Sequence, residues 1–153
     1  MRIIMLCAGW VLAAAGVWGA TDAAVVKRAL AGGQEPALKP LAPERAGAYG
    51  KGFARAGEFY VCDNGTDGTA QRGAAWSIEL NQQTAAPVIA AAWAKAEGVE
   101  GAPNPDFSLY LDLVYADGTS LWGQSAPFET DGESGWHRRE VVVTPDKPIR
   151  RLS

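Results

Sequence analysis

The stretch SLYLDLVYADGTSLWGQSAPF, residues 108–128, decides the fold. Leu109, Leu111, Leu113 and Tyr115 fall on one face and Ser108, Tyr110, Asp112 and Val114 on the other. This alternation has period two and fits a half-buried strand rather than a helix. Asp117-Gly118 supplies a turn, and Leu121 to Phe128 reads as the return strand of an antiparallel hairpin. One face is apolar and the other carries Tyr, Asp, Trp and Gln, which predicts a sheet with a packed side and a recognition side.

Outward from the hairpin the same pattern recurs. AAWSIELN (74–81) sets Trp76, Ile78 and Leu80 against Ser77, Glu79 and Asn81; HRREVVVT (137–144) is another strand, and KPIRRLS (147–153) enters a further one. EFYVCDNG (58–65) alternates Phe59 and Val61 with Tyr60 and Cys62. APVIAAAWAKAEG (86–98) is ambiguous: its alanines favour helix, whereas Pro87, the β-branched Val88 and Ile89 and the lack of a capping residue favour strand. Its neighbours are strands, and sequential strands tend to pair, so strand is the expectation. The chain from residue 58 onward is thus predicted to be all-β, with Leu109, Leu111, Leu113, Ile78, Leu80, Val141 and Val143 in one core between two sheets.

The N-terminal end reads differently. Arg2 precedes an apolar run from Ile3 to Val17, with the length of a signal-peptide core and too short for a bilayer-spanning helix. Residues 1–20 therefore read as a signal peptide, with Val17-Trp18-Gly19 as an acceptable cleavage site, and the chain as exported to the cell envelope, the periplasm or the medium. Residues 21–57, rich in Pro, Ala and Gly without a sustained period, read as a linker or irregular lead-in. Residues 58–153 form the sandwich domain. With the signal removed Cys62 is the one remaining thiol, so stability must come from packing rather than disulfides. A formal net charge of -3, without an extended Lys/Arg cluster, leaves no electrostatic footprint for nucleic acid.

ELNQQTAAPVIAAAWAKAEGVEG followed by PDFSLYLDLVYADGTSLWGQSAPFETDGESGWHRREVVVTPDKPIRRLS resembles the galactose-binding-like β-sandwich modules found beside catalytic domains in large secreted bacterial glycan-active proteins. The resemblance covers residues 58–153 and is one of pattern rather than of a diagnostic motif. It implies a jelly-roll sandwich of two antiparallel sheets and a non-catalytic role, holding a polysaccharide or oligosaccharide near a catalytic domain of a longer parent protein. Such modules close with one or two further strands, so the resemblance also implies that the last strand or strands are missing here. The competing readings are a structural or protein-interaction sandwich of an envelope protein and a fragment of a glycoside hydrolase.

The residues themselves contain no catalytic pattern. Asp106, Asp112, Asp117, Glu129, Asp131 and Glu133 are present, but only Asp112 is placed within a strand, so no two form an acid/base pair. CDNGTDG (62–68) resembles a calcium loop weakly; Gly65 stands at the third position and Ala74 at the twelfth, where oxygen ligands are needed, so a plain Asx-type turn is expected. Cys62 would need a base to act as a nucleophile, and His137 is the only histidine. No enzyme activity, metal or cofactor is predicted.

Sugars are recognised by flat apolar rings that stack on C–H faces and by planar polar groups that pair with hydroxyls. The candidate carbohydrate-binding residues are Tyr110, Asp112, Trp122 and Gln124. Whether they share a face depends on the hairpin register. A three-residue loop, Ala116-Asp117-Gly118, sets Asp112 opposite Trp122 and Tyr110 opposite Gln124, whereas a two-residue loop turns Trp122 and Gln124 toward Leu113 and Leu111. The first is preferred because it keeps Gln124 out of the core.

Overall fold

The computed structural model describes residues 2–13, 37–40, 43–57, 59–130 and 135–153, with only the backbone path of 2–13 and 37–40. Its elements are strands β1 (Arg2–Ala13), β2 (Ala37–Pro40), β3 (Gly47–Gly50), β4 (Ala54–Ala56), β5 (Phe59–Asp63), β6 (Arg72–Ala75), β7 (Ile78–Glu79), β8 (Val88–Glu97), β9 (Ser108–Tyr115), β10 (Ser120–Pro127), β11 (His137–Val143) and β12 (Ile149–Leu152), with one 3-10 turn at Pro43–Arg45. The larger sheet runs β11-β8-β1-β5-β4, with β2 also paired to β1; the second runs β10-β9-β12-β7; β3 and β6 form a separate ribbon. Every pairing among the described residues is antiparallel.

The two main sheets share a core. Val88 and Ala90 of β8 and Val141 and Val143 of β11 pack on Leu111, Leu113 and Tyr115 of β9 and Ile149 and Leu152 of β12, with Ile78, Leu80 and Leu109 at the margin. The seven positions assigned to the core from period two thus lie in or against it. At the other end Ala92, Ala94 and Ala96 make room for Phe107 and Phe128, whose rings meet at 5.2 Å; small side chains on one sheet accommodate large ones on the other at normal packing density. The alanine-rich segment is a strand because β1 and β11 pair with it on both sides, an arrangement that outweighs its local preference for helix.

The structure places three further segments. The segment 21–57 is not wholly irregular, since β2, β3 and β4 lie within it. These strands are short, and β3 and β4 are built largely of Gly and Ala, so they carry no side-chain period; their pairing is set by β1, β5 and β6. Residues 2–13, part of the 1–20 segment read as a signal peptide, form β1 between β5 and β8. A continuous apolar run is compatible with a strand as well as with a signal; the proposed cleavage site at 17–19 lies outside the described residues. The last segment, β12, lies between β9 and β7, and β11 stands at the edge of the larger sheet.

Candidate binding face

The hairpin turn has the three-residue form. Tyr115 N donates to Thr119 O at 2.8 Å and Gly118 N to Tyr115 O at 3.0 Å, with Gly118 at φ 86°. Leu121 then pairs with Leu113, which carries Trp122 opposite Asp112. Beyond that the register slips: Gln124 pairs with Leu111 and Ser125 with Tyr110. The cause is a β-bulge at Trp122-Gly123, with Gly123 at φ 76°, a conformation that glycine adopts without steric penalty.

The bulge corrects one member of the predicted patch. Tyr110, Asp112 and Trp122 share the outer face, but Gln124 is half-buried on the Leu111 side and donates from Nε2 to Trp122 O at 3.0 Å. The three-residue loop does not keep Gln124 outward, because the extra residue reverses the facing of everything after it. Asp112 has a positioning role: its Oδ1 accepts from Gly123 N at 2.9 Å, which pins the bulge. Partial burial, followed by a hydrogen bond to the Asp112 carboxylate, pushes the Tyr110 phenol above its ordinary value. The two rings stay open, Tyr110 at 49% exposure and Trp122 at 59%.

Tyr49 of β3 is another exposed ring, at 55%, and its charge adds a smaller upward push on the Tyr110 phenol. Sequence reading missed it because it lies in the Gly/Ala-rich stretch that shows no period. The other tryptophans are placed differently. Trp76 is half-buried, its ring 5.4 Å from Tyr60, and Trp136 stacks on Phe59 at 5.3 Å. Trp93 projects from the outer face of β8, because Ala92 and Ala94 on either side face the core. No protein-family model, curated protein or solved structure matches this chain. Function therefore has to be argued from the face itself.

The other chemistry-bearing residues are engaged in structure. Asp117 accepts from Thr119 N, Thr119 Oγ1 and Lys147 Nζ at 2.9, 2.6 and 2.8 Å, and Glu129 pairs with Arg139. Asp131 and Glu133 lie outside the described residues. In the 62–68 loop Asp63 Oδ1 accepts from Gly65 N at 2.8 Å, an Asx turn, and Asp67 is held by Lys51 and Thr69. Cys62 is buried, and that burial pushes its thiol up, away from the thiolate a nucleophile needs.

Proposed function

We propose that this protein is a carbohydrate-binding module, of galactose-binding-like jelly-roll type and without catalytic activity, that holds a glycan for a partner domain in an exported protein. The observation that carries the reading is the exposure of Tyr110 and Trp122 on one face, either side of Asp112. A large ring left in water on a short, pinned strand is suited to a ligand with apolar C–H faces. Pinning of the Trp122-Gly123 backbone by Asp112 supports the same reading, since a backbone already held in place loses little entropy on binding.

Affinity electrophoresis of the full chain through gels containing plant and algal polysaccharides tests this. The expected result is retardation by at least one glycan, reduced about tenfold or more in Trp122→Ala, with a change in stability within about 0.5 kcal/mol. Loss of about 3–5 kcal/mol of stability, the signature of a removed core Trp, would reject Trp122 as a platform. Passage of the unmutated protein through every gel without delay would reject carbohydrate binding and leave the protein-interaction reading.

A further inference from the structure

Arg151 stands on the same outer face as Asp112 and Trp122. On β12, Ile149 and Leu152 enter the core, and an irregularity between Ile149 and Arg151 turns Arg151 outward, opposite Val114 of β9. Val114 points outward as well, since Leu113 and Tyr115 on either side of it are core residues. The next outward position on β9 is Asp112, which exchanges both backbone hydrogen bonds with Ser153, at 2.8 and 2.9 Å, in the same register. Arg151 is therefore the diagonal neighbour of Asp112 across the β9–β12 pair. Diagonal positions lie about 7–8 Å apart, a span that a long side chain covers. Trp122 lies opposite Asp112 on its other side, on β10.

The guanidinium has donor capacity to spare. Arg151 is half-buried, and its Nε is buried with no hydrogen-bond partner among the described residues. Folded proteins pair almost all of their buried donors, so an arginine left unpaired along one edge is unusual. Asp112 spends Oδ1 on Gly123 N, but a carboxylate has acceptor sites for more than one donor. A sugar hydroxyl both donates and accepts, so it pairs with a carboxylate and a guanidinium at once. A planar fork of donors beside a carboxylate and an open ring thus suits neighbouring hydroxyls of one sugar. The charges nearby favour a neutral one. Glu79 lies opposite Arg151 on β7 and Asp112 on the diagonal, so two carboxylates flank the guanidinium. Arg150, exposed at the irregularity of β12, offsets one of them, and no excess of positive charge is left to draw an anionic sugar.

We propose that Arg151 is the donor half of a hydroxyl-pairing couple with Asp112, and that the couple binds neighbouring hydroxyls of a neutral sugar stacked on Trp122. This rests on the binding reading above. Calorimetric titration of the full chain tests it, using oligosaccharides cut from the neutral polysaccharide that retards it most, with alginate oligomers as the acidic arm. Arg151→Met keeps the stem and removes every donor; it should lose about tenfold in affinity. Its melting temperature should hold or rise, because the change also removes a buried donor that has no partner. Arg151→Lys, which keeps the charge but not the planar fork, should bind between the two. If Arg151→Met binds as tightly as the unmutated protein while Trp122→Ala does not, the couple is rejected and the binding reading stands. A loss of affinity matched by a lower melting temperature in Arg151→Met would make Arg151 a structural residue and overturn the proposal. Tighter binding of alginate oligomers would overturn the neutral class. No binding of any oligomer, neutral or acidic, would reject the binding reading itself.

Discussion

Gly123 shows how much one residue decides. At φ 76° it bends β10 between Trp122, which stays outward, and Gln124, which turns inward. A side chain at this angle is strained by about 1–2 kcal/mol. Gly123→Ala should therefore lower the melting temperature, and, because the Gly123 N–H is what Asp112 holds, it should also weaken glycan retardation. An unchanged melt and unchanged retardation would mean that the bulge is not needed. Asp112→Asn, which keeps an acceptor for that N–H, should retain more of both properties than Asp112→Ala.

Two turns repeat one device at the scale of the element. Asp67-Gly68-Thr69 and Asp117-Gly118-Thr119 each place an Asp whose carboxylate accepts from the Thr backbone and hydroxyl and from a distant lysine, Lys51 in one and Lys147 in the other. These lysine and threonine hydrogen bonds hold both carboxyls well below the usual carboxylate range. The sign follows from linkage: a carboxyl depressed in the folded state contributes stability above its unfolded value, about 4, and loses it as pH falls toward the folded one. Lys147, raised by the same pair, contributes in full below its unfolded value and loses that only in strong base. Melting temperature should thus decline as pH drops below about 4. The decline should be shallower in Lys147→Ala, and added salt should narrow the difference between the two proteins because the pair is exposed. Parallel acid slopes for the two proteins would show that the clamp contributes nothing.

Across the whole molecule the larger sheet depends on β1. It pairs with β5 from Arg2 to Leu6 and with β8 along most of its length. Without it the sheet would divide into β11–β8 and β5–β4, and two-stranded pieces are marginal alone. A proline at Ile4, whose neighbours are Val61 and Lys95, removes a backbone donor from the middle of a sheet. Ile4→Pro in the full chain should destabilise well beyond the roughly 0.5 kcal/mol of an ordinary surface change. A melt identical to that of the unmutated chain would place residues 2–13 outside the folded sheet and favour their reading as a signal.

Period two in residues 108–128 by itself determined β9, β10 and the inward row of Leu109, Leu111 and Leu113, because alternation is a local property of a half-buried strand. Asp117-Gly118 determined the turn for the same reason, its chemistry lying within a few residues. Only the tertiary structure decided the rest. The short strand β3 is made by its partner β6, which lies far along the chain, so no local window of sequence contains the cause, whereas β4 pairs with its near neighbour β5. The alanine-rich β8 is a strand because it is paired on both sides, not because of its composition. Gln124 faces the core side because a bulge shifts the register after it. Facing and proximity are set by long-range pairing, which a local pattern does not encode.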